Sequence, residues 1–273
     1  PDRELELQRG AFSGCSGLTE IVIPSAKIEV NAAFSGCDNL AKVTIPVDHK
    51  KPYLGCSKVK EIVYTAGETG EMPNIGSTGS NRCIDVSRIE YTSRSALKKV
   101  VFEEGVKSIG AFAYYWTTYS SWNGSTIEYA DLEEVILPES LESIGADAFR
   151  RQVSLKNVTI PDGVKTIGEY CFAECTGFTS TKNVKLSKSM SVVPKGFFYR
   201  CTGITEFSLP DTIERIEEYA FNGCTGIKEF KIYDNIKSIG EYAFGSCTGI
   251  TEINIPDREL ELQRGAFSGC SGL

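Results

Sequence analysis

One arrangement of apolar and polar positions recurs along the chain. Each unit closes on six residues such as Leu18-Thr19-Glu20-Ile21-Val22-Ile23, which end in apolar/polar alternation, the period of a strand with one buried face. A middle Ile-Gly (Ile144-Gly145, Ile167-Gly168, Ile239-Gly240) supplies an inward anchor followed by a residue free to turn. An Ala-Phe pair follows (Ala220-Phe221, Ala243-Phe244, Ala266-Phe267), which predicts a single helical turn burying one small and one large side chain. "PDTIERIEEYAFNGCTGIKEFKI" (210–232), "YDNIKSIGEYAFGSCTGITEINI" (233–255) and "PDRELELQRGAFSGCSGL" (256–273) align with a period of 23 residues.

Units starting at 1, 24, 46, 65, 103, 138, 161, 187, 210, 233 and 256 account for residues 1–273 as a single solenoid of ten coils plus a partial eleventh. Coils with insertions occupy 46–137 and regular coils 138–273. Seven of the ten prolines open a coil just after a strand, where a missing N–H does least harm. A lone coil cannot bury its apolar face; stacked neighbours do so.

These residues resemble the BspA-type leucine-rich repeats, whose consensus runs close to "IPxxVxxIGxxAFxxCxxLxxIxI", most specifically at "IGEYAFGSCTGITEINIP" and "IGEYCFAECTGF". The resemblance implies a leucine-rich-repeat solenoid, α/β but mainly β. That is a right-handed curved stack with a parallel sheet on the concave face and short helical turns or irregular segments on the convex side. It also implies a secreted or cell-surface protein of bacteria, or of some protozoa, that binds other macromolecules. The departures from the family pattern cluster at 46–137.

Cys15, Cys37, Cys56, Cys175, Cys201, Cys224, Cys247 and Cys270 occupy one position in successive coils. A small side chain with a weak S–H donor suits a buried structural column facing turn carbonyls. Metal ligation and disulfides are the alternatives, but a metal site needs convergent ligands and the chain has one His. Cys171 replaces the Ala before Phe172 and reads as core, and Cys83 lies in a polar insertion with no recognisable partner.

Charge and composition narrow the function. A net charge of −7 and the lack of a basic patch argue against nucleic acid and anionic membranes. No apolar run approaches the roughly 20 residues that cross a bilayer, so no membrane insertion is expected in this chain, and no signal peptide precedes Pro1. A nucleophilic triad would have to use His49, beside Asp48 and Lys50 in "PVDHKKPYLGC", where it reads as a solvated loop histidine. No cofactor or metal motif is present, and no enzyme is expected.

Binding has more candidates. Side-chain alternation turns the third strand position outward, giving the column Glu20, Lys42, Glu61, Lys99, Glu134, Asn157, Asn183, Glu206, Glu229 and Glu252. Its last three carboxylates form a like-charge ladder: a solvated face relieved by Lys228 and Lys231, a surface for a basic partner, or a cation ladder. The fifth position exposes Val63, Val101 and Ile136, either as β-propensity alone or as an apolar patch that awaits a partner or is covered by the insertions. The insertion 114–129, "YYWTTYSSWNGSTIEY", mixes rigid aromatics with small polar residues, the composition of binding loops. Tyr114 takes the Phe slot of a coil, whereas Tyr115, Trp116, Tyr119, Trp122 and Tyr129 have no slot and serve either as contacts or to hold their own loop down.

The leading expectation is therefore adhesion to an extracellular protein through the Val63/Val101/Ile136 strip, with Glu61, Lys99 and Glu134, and through the aromatic loop. A glycan-binding module and a structural spacer are the alternatives. Residues 1–18 and 256–273 are identical at an offset of 255 residues, a whole number of coils. In-phase duplication within a longer protein, deliberate reuse of a stretch and repeated assignment of an end segment all fit this identity. Neither end reads as a polar cap, so end-to-end contacts are a further expectation.

Overall fold

The computed structural model of the chain describes residues 5–49, 54–56, 58–74, 96–114, 132–181 and 184–273. The coils stack as a solenoid, and all the strand pairings are parallel. The main sheet joins Glu20–Val22, Lys42–Pro46, Glu61–Thr65, Lys99–Phe102 and Glu134–Ile136. It resumes as the pairs Val158–Thr159 with Val184–Lys185 and Glu229–Lys231 with Glu252–Asn254. Its pattern is the anticipated one: Val43, Ile45, Ile62, Tyr64, Val100 and Phe102 are buried.

A second column of strands was not legible in the sequence. Two-residue strands pair at the Ile of each Ile-Gly: Ser108–Ile109, Ser143–Ile144 and Thr166–Ile167 in one sheet. Val192–Val193, Arg215–Ile216, Ser238–Ile239 and Glu261–Leu262 form another. The glycine after the Ile is there for closeness rather than for freedom to turn. None of Gly145, Gly168 and Gly240 has positive φ, but a Cβ on Gly145 would lie 2.3 Å from Ala111 N and one on Gly168 2.2 Å from Ala146 N.

The expected helical turn at Ala-Phe is also corrected. This segment makes hydrogen-bonded turns, because the residue before the Ala slot is left-handed in coil after coil: Ala32 (φ 47°), Asp147 (53°), Tyr170 (55°), Tyr219 (57°), Tyr242 (52°), and glycine at 10, 196 and 265. A left-handed residue stops a right-handed helix. The freed N–H groups then bond to the next coil, as Tyr242 N does to Arg264 O at 3.1 Å and Phe244 N to Ala266 O at 2.8 Å. The Phe rings stack between coils, Phe198–Phe221 at 5.4 Å, Phe221–Phe244 at 5.1 Å and Phe244–Phe267 at 5.3 Å.

The run 138–273 is interrupted at one junction. Ser180 bridges forward to Glu206, whereas Val184 pairs back to Val158, so extra residues separate two registers within one coil. Thr181 spans the break with its hydroxyl, which donates to Ser208 O at 2.6 Å and accepts from Ser208 N at 2.7 Å. The second sheet stops here too, between Ile167 and Val193. Pro194 removes one of the bonds such a ladder would need: it stands where Gly168 and Gly240 donate to Ile144 O (2.8 Å) and Ile216 O (2.7 Å), and proline has no N–H to give. Phe197, in the slot of the small residue, packs edge-on against Phe172 at 5.4 Å and Phe198 at 4.7 Å and keeps the core continuous.

Candidate functional site

The cysteine column is held by the turns. Cys37, Cys175, Cys201, Cys224, Cys247 and Cys270 place Sγ 3.0–3.2 Å from the carbonyl of the Phe one coil earlier, Phe12, Phe149, Phe172, Phe198, Phe221 and Phe244 respectively. The described cysteines are all free thiols. Burial pushes Cys171, Cys201 and Cys224 far above the ordinary thiol range and Cys247 up to about 12, so these groups are neither nucleophiles nor ready metal ligands. Cys56 is buried, but Cys15, expected in the buried column, is exposed. Among the described residues, no Phe carbonyl lies against Cys15 as one does against each of the six thiols above. Cys83 lies outside the described residues.

Where one coil lacks the Cys, Gln152 takes over. It is buried, its Nε2 donates to Tyr114 O at 2.8 Å and its Oε1 accepts from Leu132 N at 3.0 Å. The side chain thus fastens both ends of the 115–131 insertion, a role that a search for repeat-defined slots passes over.

His49 is corrected from a solvated loop residue to a buried one, 3% exposed, with Nε2 2.7 Å from Ile28 O. A ring nitrogen facing a carbonyl must carry the proton, so His49 fastens one coil to another. Among the described residues, no three His, Cys, Asp or Glu side chains are placed to hold a metal ion. Nor is any helix there long and apolar enough to cross a membrane.

On the outer face of the main sheet, strand pairing sets Glu20, Lys42, Glu61, Lys99 and Glu134 side by side. Signs alternate, and Lys42–Glu61 (3.7 Å), Lys99–Glu134 (3.1 Å) and the adjacent Lys98–Glu133 (3.2 Å) form ion pairs. Each is at least partly open to solvent and worth at most about 1 kcal/mol. The apolar strip beside them is smaller than expected. Val63 is only 5% exposed, with Thr44 and Val101 in register on either side; Val101 is half-buried and Ile136 is 40% exposed. Of the acidic ladder, Glu229 and Glu252 do pair directly, whereas Glu206 bridges to Ser180. Asn183 lies outside the described residues, as do Tyr115, Trp116, Tyr119, Trp122 and Tyr129.

The exposed Ile136 borders a cleft of about 780 Å³ lined by Glu133–Leu137, Ser154 and Lys156–Thr159. The cleft lies where the five-stranded sheet ends: no backbone ladder joins Glu134–Ile136 to Val158–Thr159 among the described residues. Its lining mixes apolar side chains with two hydroxyls, an amide, two carboxylates and an ammonium. The insertion re-enters the fold at Leu132, one residue before Glu133. On the second-sheet side, a groove of about 650 Å³ carries the hydroxyls of Ser108, Ser143 and Thr166. Asp48 closes one end of it, accepting from Glu68 N (2.9 Å) and Thr69 N (3.2 Å).

Comparison with known proteins agrees with this architecture. No curated protein matches the chain. Among solved structures, a leucine-rich repeat protein from Bacteroides ovatus is 21% identical, with 98% of this chain and 81% of its own covered and a TM-score of 0.50. Another, from Eubacterium ventriosum, is 19% identical, with 92% and 82% covered and a TM-score of 0.46. A leucine-rich cell surface protein from Faecalibacterium prausnitzii is 20% identical, with 94% and 78% covered and a TM-score of 0.38. The family model "BspA type Leucine rich repeat region (6 copies)" matches residues 1–93, 85–178, 123–204 and 142–273. The chain belongs to the BspA-type leucine-rich repeat family.

Proposed function

We propose that this chain is a non-enzymatic surface or secreted binding protein that holds an extracellular protein on the main-sheet face. The contact centres on the cleft between Glu134–Ile136 and Val158–Thr159. The observation that carries this reading is Ile136, a β-branched side chain exposed at the end of a sheet and facing a cleft of about 780 Å³. An exposed apolar side chain ringed by polar groups gains most when a partner covers it. The aromatic residues Trp116 and Trp122 belong to the same proposal, since their segment runs directly into the cleft strand. Membership of the family supports the surface or secreted location.

The experiment is an array of extracellular-matrix proteins, other host proteins and glycans. It is probed with the intact chain, Ile136→Asp, Trp116→Ala/Trp122→Ala, and Val22→Asp, an exposed position of the same column outside the cleft. Binding to a protein that Ile136→Asp abolishes and Val22→Asp retains supports the reading. Equal binding by all four overturns it. Binding that free sugars displace moves the assignment to the glycan-binding alternative, and an array without any bound partner favours a structural spacer.

A further inference from the structure

The coil 187–209 is open to its two neighbours on opposite faces. Toward the coil before it, the main-sheet face is closed: Thr205 N donates to Thr179 O (2.8 Å) and Thr181 N to Glu206 O (3.1 Å). The second-sheet face is not closed there, since no ladder joins Thr166–Ile167 to Val192–Val193 among the described residues. Toward the coil after it the arrangement reverses. Glu214 N donates to Ser191 O (2.8 Å) and Glu217 N to Val193 O (3.0 Å), while no ladder joins 206–208 to Glu229–Lys231 among the described residues. The junctions on either side are closed on both faces. Thr166–Ile167 pairs with Ser143–Ile144 and Val184–Lys185 with Val158–Thr159; beyond the coil, Arg215–Ile216 pairs with Ser238–Ile239 and Glu229–Lys231 with Glu252–Asn254. Only the turn column runs unbroken through 187–209. Tyr170 N and Glu174 N donate to Lys195 O (2.9 Å) and Tyr199 O (2.6 Å), and Gly196, Phe198 and Arg200 N–H donate to Glu218, Ala220 and Asn222 carbonyls (2.9, 2.7 and 2.7 Å).

We infer that coil 187–209 is a hinge, about which the stretches 138–186 and 210–255 tilt as two stiff bodies with the turn column as the axis. Widening either gap breaks no ladder bond, since none crosses it, whereas the same tilt at a closed junction would break a backbone ladder. The gaps lie on opposite faces, so widening one bends the stack one way and widening the other bends it back. Links at the corner of the first gap are made by side chains, which follow a tilt by rotating: Ser187 Oγ and Ser189 Oγ donate to Asp162 O (3.3 and 2.7 Å). Pro194 withholds the bond that would begin to close this gap. Edge-on ring contacts, Phe172–Phe197 at 5.4 Å and Phe207–Phe230 at 5.1 Å, keep the core covered at the two junctions. The hinge sets the angle between the outer face that carries Ile136 and the outer face of 229–254, so that one chain follows partners of different curvature. It lies apart from the cleft and does not depend on what the cleft holds.

Two matched pairs of spin labels on the full chain test the hinge. Lys107 and Lys237 stand five coils apart with coil 187–209 between them; Lys27 and Lys165 also stand five coils apart, all on one side of it. Each span is roughly 24 Å at strand spacing, within range of pulsed electron resonance. The four lysines are exposed, so replacing them leaves the core untouched, and genetically encoded labels spare the native thiols. The expected result is a distance distribution for 107/237 about two-fold broader than that for 27/165, both carrying the same label. Equal widths overturn the hinge. A 27/165 distribution as broad as that of 107/237 does so too, because the motion would then not belong to this coil.

Discussion

Gln152 donates its side-chain amide to the Tyr114 carbonyl at 2.8 Å, the contact that a cysteine thiol makes in the other coils. Its length lets the same amide accept Leu132 N–H, so one buried residue ties down the exit and the return of the insertion. Replacing Gln152 by Ala strands a buried carbonyl and a buried N–H. Unfolding in urea is expected to show a loss of about 2–4 kcal/mol. Gln152→Cys, which restores a donor to Tyr114 O but leaves Leu132 N unpaired, is expected to recover part of that loss and not all of it.

The glycine two residues after the column cysteine offers a matched pair of substitutions. A Cβ on Gly226 would lie 2.5 Å from Ile204 O and 2.7 Å from Thr202 O, whereas one on Gly17, in the same slot of the first coil, meets nothing within 4 Å. Gly226→Ala is expected to cost about 2–3 kcal/mol by forcing coils apart, and Gly17→Ala to stay within about 0.5 kcal/mol of the parent. Thermal unfolding of the two variants measures the difference, and equal effects would show that slot chemistry rather than coil contact governs this position.

Two carboxylates share Arg150 and respond in opposite directions. Burial pushes the Asp147 carboxyl up, only partly countered by its bond from Arg150 Nη1 (3.0 Å). Burial also acts on Glu174, but hydrogen bonds from Arg150 and Arg151 outweigh it and hold the carboxyl below its usual range. A depressed acid stabilises the fold above its unfolded pKa and loses that contribution as pH falls; a raised one opposes folding once ionised. Asp147→Asn is therefore expected to be neutral or stabilising by up to about 1 kcal/mol at pH 7, since asparagine also tolerates the left-handed backbone there. Glu174→Gln is expected to cost about 1–3 kcal/mol, with the gap between the variants shrinking toward pH 3. Denaturant titrations at pH 7 and pH 3 measure both.

Alkaline stability follows from the thiols. A raised thiol pKa means that the folded chain keeps protons that the unfolded chain releases. The stabilisation is complete below about pH 9 and is lost as pH rises through the folded value, about 12 for Cys247. The unfolding free energy is expected to fall continuously from pH 9 upward. Native-state labelling with a thiol reagent at pH 8 is expected to modify Cys15 within minutes and to leave Cys201 and Cys224 untouched until the chain unfolds. Fast labelling of the column without unfolding would contradict the burial.

The solenoid, the main-sheet register and the face on which each third and fifth strand residue lies were legible in the sequence, because apolar alternation and a 23-residue period report them directly. Glu20, Lys42, Glu61, Lys99 and Glu134 stand in the predicted column even across the insertions. The second strand column was not legible, since two residues are too few to show a period. Neither was the burial of Val63 or His49, which depends on what neighbouring coils place beside them. The cleft at Ile136 was invisible for the same reason: it exists because a backbone ladder stops, and no residue type marks that.

The clearest division lies in the eighteen residues that occur twice. Their letters alone determine a coil with Ala-Phe and Cys in fixed slots, and both copies form that coil, with left-handed glycines at 10 and 14 and again at 265 and 269. Whether the thiol is hidden was decided only by the tertiary structure. Cys270 has Phe244 O of the preceding coil 3.1 Å from its sulfur and is buried, whereas Cys15, with the same neighbours in sequence, is open to solvent. Local pattern sets the shape of a coil, but burial belongs to the pair of coils that meet, and that pairing lies beyond any single repeat.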